Sequence, residues 1–111
     1  MTPERFSDLL ESLLNQRRPG LNPLGWKRVG STWYDTYEET DLQSMDATVR
    51  AAWLYVWAGW LMQEHGLKPM YTGTVWEWHS NGQLLAAQPD QGDAIAQAMC
   101  LTCGLAWSTY R

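Results

Sequence analysis

DATVRAAWLYVWAGWLMQEH, residues 46–65, is the most apolar stretch of the chain and decides the predicted fold. Asp46 stands at a helix N-cap position, and Gly66 follows where a helix commonly ends in a left-handed residue. At about 100° per residue, one helix face holds several large apolar side chains: Val49, Trp53, Val56, Trp57 and Trp60. Leu54, Leu61 and Met62 extend the apolar surface toward the back. We therefore expect a buried central helix over 46–65 that other elements cover on more than one side.

Length and charge restrict the class of protein. The chain has 111 residues, a mass of 12.7 kDa, a net charge of −4 and a pI of about 4.9. This length predicts a single domain over 1–111 with a modest core. A negative net charge argues against direct nucleic-acid binding, which normally needs a basic stripe.

The apolar run Ala51–Met62 is too short for a membrane span. Twelve residues of helix cover about 18 Å, whereas a span needs about 20 apolar residues. The chain opens on a polar helix rather than a charged and then apolar leader, so no secretory signal is expected. These features predict a cytoplasmic protein without a membrane partner.

The first helix is predicted over residues 2–16. Thr2 suits the N-cap and Pro3 the first helical position. Apolar residues then recur with the spacing of a helix that lies on a core: Phe6, Leu9, Leu10, Leu13 and Leu14. This stripe could instead bind in a groove of a partner protein. Packing on the core is the favoured interpretation, because the apolar central helix must be covered by other elements.

Two hairpins are predicted. Residues 26–37 contain aromatic and β-branched side chains around a Gly30-Ser31 turn. Residues 74–87 alternate between two faces around Asn81-Gly82, the pair that a type I′ turn requires. That turn would pair Trp78 with Leu85, place Trp76 opposite Ala87, and leave Glu77 and His79 together on the other face.

A last helix is predicted from Asp90 to near Trp107. Residues 46–60 align without gaps with residues 93–107, matching Asp46 with Asp93 and Trp60 with Trp107. The predicted fold is therefore α+β: one helix followed by two strand-strand-helix units. A mainly antiparallel sheet of about four strands would pack with three helices.

An aromatic and acidic segment is the predicted partner-binding site. Residues 35–46 contain five acidic side chains and no basic one. A solvated acidic loop is the simplest interpretation. The alternative is a contact surface whose aromatic side chains supply area and whose carboxylates attract a basic protein partner. Its predicted residues are Trp33, Tyr34, Asp35, Tyr37, Glu38, Glu39 and Asp41.

The competing class is a small metal-binding or catalytic protein. Cys100 and Cys103 form a CxxC inside the last helix, and together with His65 and His79 they could supply four zinc ligands. Glu77 and His79 could act as acid and base. Because the spacings match no usual zinc pattern and no phosphate loop or nucleophile elbow accompanies them, we expect no cofactor, no metal and no enzyme activity.

Eight tryptophans are many for a domain of this size. Six of them have positions that explain them as core residues: Trp53, Trp57, Trp60, Trp76, Trp78 and Trp107. Trp26 and Trp33 are less constrained. Surplus aromatic area would suit a partner-binding patch or a homodimer, because monomers rarely expose large apolar patches.

The pattern TVWEWHSNGQLLAA followed by DAIAQAM, and GWKRVGSTWYD followed by DATVRAAW, resembles small phage or mobile-element accessory proteins, including the phage ABA sandwich domains. Together these stretches cover about two thirds of the chain. The resemblance implies a cytosolic, non-enzymatic accessory factor that binds and blocks a host defence complex. It implies no individual site residue.

Overall fold

Two three-stranded antiparallel sheets and four helices make up the described part of the chain. The structure, a computed structural model, describes residues 1–18, 25–30, 32–34, 39–40 and 46–111. Within them the elements are α1 Pro3–Asn15, β1 Lys27–Val29, β2 Thr32–Tyr34, β3 Glu39–Thr40, α2 Ala47–His65, β4 Leu67–Tyr71, β5 Trp76–Ser80, β6 Gln83–Gln88, α3 Gln91–Cys103 and α4 Trp107–Tyr110.

The α+β class is confirmed, but the prediction of one four-stranded sheet is wrong. Sheet A consists of β1, β2 and β3, and sheet B consists of β4, β5 and β6. Strands β3 and β4 were not predicted, because β3 has only two residues and β4 contains a proline. Each sheet is followed by one long helix, so each predicted strand-strand-helix unit has three strands before its helix.

Sheet A begins with the predicted hairpin. Gly30 has φ of +65°, the positive value that a tight hairpin turn needs at its first central residue. The register pairs Lys27 with Tyr34 and Val29 with Thr32. On its other side β2 pairs with β3, where Tyr34 lies opposite Glu39.

The Asn81-Gly82 turn of sheet B is confirmed. Asn81 and Gly82 have φ of +52° and +80°, as a type I′ turn requires. The predicted register is correct for His79 and Ser80, next to the turn, but it is wrong for β5 residues before His79. The reason is that the pairing shifts by one residue between Trp78 and His79. Trp78 therefore lies opposite Ala86 rather than Leu85, and Trp76 lies opposite Gln88 rather than Ala87. At Trp78 a large core side chain still faces a small one.

The central helix has the predicted ends but a different buried face. The Asp46 side chain accepts a hydrogen bond from the Val49 amide at 2.9 Å, and Gly66 is the left-handed C-cap. However, Val49 and Val56 are 41% and 43% exposed, so the predicted face is only partly correct. The buried stripe runs through Ala51, Leu54, Trp57, Ala58 and Leu61. None of the described helices is long and apolar enough to cross a membrane.

The tryptophan core joins sheet A to α2. Trp26 and Trp33, predicted as the less constrained pair, are both buried. Trp26 stacks on Trp53 with ring centroids 3.9 Å apart, and Trp33 meets Trp57 edge-on at 6.1 Å. Trp78 is also fully buried, whereas Trp53, Trp76 and Trp107 are half-buried at the margin of the core. The side chain of Trp60 lies outside the described residues.

The last helix is shorter than predicted. Gly104 adopts φ of +72° and ends α3, and α4 then begins at Trp107. The Asp90 side chain caps α3 by accepting a hydrogen bond from the Asp93 amide at 2.8 Å. Helices α2 and α3 therefore share an aspartate N-cap and a glycine C-cap. The equivalent aspartates are Asp46 and Asp90, three residues out of the predicted alignment.

Replacement by alanine should change the stability of the protein in opposite directions at two glycines of α2, Gly59 within the helix and Gly66 at its C-cap. Gly66→Ala should destabilise the protein by about 1–2 kcal/mol, because the left-handed conformation is unfavourable for L-residues. The added Cβ would also lie 3.3 Å from the Asn81 side-chain oxygen. Gly59→Ala should stabilise by about 0.5–1 kcal/mol, because Gly59 is helical and its Cβ would meet open space. Urea denaturation of both variants checks the signs, and equal effects would contradict this account.

Candidate protein-binding face

The inner face of sheet A is anchored to two helices. The Trp33 indole nitrogen donates a hydrogen bond to the Ser7 hydroxyl of α1 at 2.8 Å, and its ring meets Trp57 of α2. Arg28, beside Trp33 on the same face, forms an ion pair with Glu11 of α1 at 2.7 Å. Trp33 is therefore a core residue, and its predicted role as a contact residue is corrected: its burial leaves no area for a partner.

The outer face of sheet A is exposed at three of its four described positions, and Thr32 is half-buried. Because side chains alternate along a strand, Lys27 and Val29 of β1 lie on the face away from Arg28, together with Tyr34 of β2. Val29 is 67% exposed and Tyr34 is 37% exposed. Thr32, opposite Val29, completes the described part of this face. Below, the outer face of sheet A means Lys27, Val29, Thr32 and Tyr34.

The structure places two of the predicted contact residues beside this face. Tyr34 belongs to it, and Glu39 pairs with Tyr34 across β2 and β3. Asp35, Tyr37, Glu38 and Asp41 lie outside the described residues. Within the described residues, the acidic segment therefore meets the sheet at Glu39, whose backbone pairs with that of an exposed tyrosine.

Val29 and Lys27 were missed as members of this face. The signal that could have found them is the hairpin itself. With Trp33 buried and the turn at Gly30-Ser31, the register assigns the residues opposite Thr32 and Tyr34 to the solvent side.

The residues of the alternative metal site do not come together. Cys100 and Cys103 are buried in α3, which packs against the inner face of sheet B where Trp78 lies. His79 is on the opposite face of sheet B and contacts Glu77, with 3.1 Å between His79 Nε2 and Glu77 Oε1. Within the described chain, no group of three metal-ligating side chains could hold an ion.

Burial disfavours the thiolate form of both cysteines. Burial, and second the neighbouring Cys103, raise the pKa of Cys100 from 9.0 to about 12. Burial also raises the pKa of Cys103, although the positive charge of Arg18 and a hydrogen bond with Thr102 act in the other direction. Because the thiolate is the reactive form, these cysteines suit packing better than redox chemistry.

The raised thiol pKa predicts a loss of stability in alkali. Between pH 9.0 and about 12 the unfolded Cys100 loses its proton while the folded one keeps it. The native state then binds more protons, so the free energy of unfolding falls as pH rises through this window. Cys100→Ala should reduce that fall. Urea denaturation of both proteins with a reducing agent, from neutral pH upward, tests this; identical pH profiles would contradict it.

A half-open pocket lies between the first turns of α1, α2 and α3. It has a volume of about 90 Å³, and Phe6, Leu54 and Asp93 are among its lining residues. Cavities that bind small molecules usually measure about 300–1,000 Å³. This space is therefore too small for a typical substrate or cofactor.

No protein-family model, curated protein or solved structure matches this chain.

Proposed function

We propose that this protein is a non-enzymatic accessory factor that binds another protein through the outer face of sheet A and the adjoining acidic segment 35–41. The observation that carries the proposal is the exposure of Val29 and Tyr34, which lie diagonally across β1 and β2 on the same face of sheet A. An exposed tyrosine with an apolar neighbour is typical of protein contact surfaces, where aromatic side chains contribute much of the affinity.

The charge of the adjoining segment supports a partner with a basic surface. Five acidic residues and no basic one lie between positions 35 and 46, and the whole chain has a net charge of −4. Opposite charges on two proteins accelerate their association and fix their relative orientation. Lys27 is the one basic residue of the outer face.

The biological setting rests on the resemblance alone. Phage and mobile-element accessory proteins that block a host defence complex would need such a surface, and we propose that role as the setting for the binding activity. The cytoplasm is the proposed location, because the resemblance implies a cytosolic factor.

Charge reversal at Glu38 and Glu39 tests the proposal. The immobilised protein is incubated with a lysate of its native host, captured proteins are identified by mass spectrometry, and the affinity of the purified partner is then measured. Glu38→Lys/Glu39→Lys should abolish capture, because the reversed charges would repel a basic partner. The melting temperature of the variant, measured in parallel, shows whether it is folded. Raising the salt concentration should weaken wild-type capture.

A matched control separates local charge from net charge. Glu4, in the first turn of α1, and Glu64, in the last turn of α2, are exposed and belong neither to the outer face of sheet A nor to the acidic segment. Glu4→Lys/Glu64→Lys changes the net charge by the same amount and should leave capture intact. Tyr34→Ala should weaken binding of the purified partner by about tenfold or more, as expected for an aromatic contact residue. If capture is unaffected by both Glu38→Lys/Glu39→Lys and Tyr34→Ala, this surface is not the binding site.

A further inference from the structure

Strand β4 is the exposed edge of sheet B. It pairs with β5 on one side, and no described strand pairs with its other side. All of its residues after Leu67 are exposed, including Met70 at 50% and Tyr71 at 55%. An exposed edge strand with free backbone groups is a template for pairing with another strand.

The hydrogen-bond pattern shows which backbone groups point outward. The Thr72 amide donates to the Val75 carbonyl at 3.0 Å, so these residues form a hydrogen-bonded pair at the end of the ladder. Because hydrogen-bonded and non-hydrogen-bonded pairs alternate, Met70 and Lys68 direct their backbone groups toward β5. Leu67, Pro69 and Tyr71 direct theirs toward the free edge.

Pro69 lies in the middle of that free edge. Proline has no amide hydrogen, and within a sheet it is tolerated where its nitrogen points away from the ladder. At position 69 it therefore costs sheet B no internal hydrogen bond. The same residue removes the central donor that the edge could offer to a partner strand.

A second copy of this chain is the partner that the edge geometry fits. In an antiparallel pair of two β4 strands related by a two-fold axis, position 69 would lie opposite its own symmetry mate, and Leu67 would lie opposite Tyr71. The outward-facing residues would form the hydrogen-bonded pairs. Self-complementary contacts of this type are the rule in two-fold dimers. With proline at position 69, however, the central pair forms no hydrogen bond.

The other edge of sheet B is irregular in a different way. The pairing of β6 with β5 shifts by one residue at Leu85, so an extra residue bends β6. Bulges of this kind and edge prolines both reduce edge-to-edge association. Each edge of sheet B therefore carries one such feature. Because β4 is regular and exposed, its protection from edge-to-edge association depends on Pro69.

We infer that Pro69 blocks self-association: the free edge of β4 has the geometry to pair with β4 of a second copy of this chain, and the proline at its centre prevents that pairing. The wild-type protein does not self-associate through β4. Replacing Pro69 by a β-branched residue creates a two-fold dimer in which the two copies of sheet B join edge to edge.

Measurement of oligomeric state tests the inference. Pro69→Val should convert the protein to a reversible dimer, with a self-association constant raised by at least about tenfold in analytical ultracentrifugation. Pro69→Val/Tyr71→Pro moves the proline to another outward-facing position and should restore the wild-type state. The Met70 nitrogen faces β5. Met70→Pro should therefore lower the melting temperature without producing the dimer.

Amide hydrogen exchange provides a second measurement that needs no variant. In the wild-type protein the Tyr71 amide should exchange rapidly, whereas the Met70 amide should be protected by the ladder. In Pro69→Val the Tyr71 amide should become protected as the protein concentration rises. A folded Pro69→Val that stays monomeric, or a protected Tyr71 amide in the wild type, overturns the inference. If Pro69→Val does not fold, Pro69→Thr and the wild-type exchange pattern decide.

Discussion

Trp57→Ala is expected to destabilise the protein by about 3–5 kcal/mol, the range for removal of a large buried aromatic side chain. Trp57 is fully buried on α2, 5.2 Å from the Trp26 ring and 6.1 Å from the Trp33 ring. Its loss would leave a cavity where sheet A meets the helix. Because domains of this size are stable by only about 5–15 kcal/mol, much of the native population could be lost.

Val56→Ala is the matched control for Trp57→Ala. Val56 precedes Trp57 on the same helix but is 43% exposed, so its truncation should change stability by less than about 0.5 kcal/mol. Urea denaturation monitored by circular dichroism gives both values. A change below about 1 kcal/mol for Trp57→Ala would show that Trp57 does not join sheet A to α2 as described.

Trp33→Phe is expected to cost about 1–3 kcal/mol more than Trp78→Phe, although both remove the same atoms from fully buried sites. The Trp33 indole nitrogen donates to the Ser7 hydroxyl, and Ser7 is itself buried. Phenylalanine at position 33 would leave that hydroxyl without its donor. The Trp78 indole nitrogen has no hydrogen-bond partner within the described part of the chain, so Trp78→Phe loses no such bond.

A double-mutant cycle isolates the hydrogen bond between Trp33 and Ser7. Ser7→Ala alone leaves the indole nitrogen unpaired, and Trp33→Phe alone leaves the hydroxyl unpaired. The double variant should therefore cost less than the sum of the two single variants, by about 1 kcal/mol. Strict additivity, or an equal cost for Trp33→Phe and Trp78→Phe, would show that this hydrogen bond does not stabilise the packing of sheet A on α1.

The candidate site was predicted in part. The segment after Trp33 was identified from its acidic and aromatic side chains, and Tyr34 is exposed beside it. Trp33 was assigned to the surface because a short strand with polar and aromatic neighbours does not show which of its faces is buried. Burial of that face depends on Ser7 and Trp57, which lie far away in sequence.

Signals confined to a few neighbouring residues predicted local structure well. The caps Thr2, Asp46 and Asp90 each accept a backbone hydrogen bond within their own first turn. Asn81-Gly82 adopts the positive φ values that its turn requires. These features need no distant partner, because the interactions that stabilise them lie within about four residues.

By itself the sequence determined where α1, α2 and α3 begin, where α2 ends and where the two hairpins turn. It also determined the α+β class and the acidic character of the segment between β2 and α2. Only the tertiary structure decided which side of α2 is buried, how sheet B is registered beyond its bulge, and that six described strands form two sheets. The physical reason is that caps and turns are stabilised by short-range hydrogen bonds. A helix that is apolar on most sides, or an edge strand, takes its orientation from side chains brought to it by the rest of the fold.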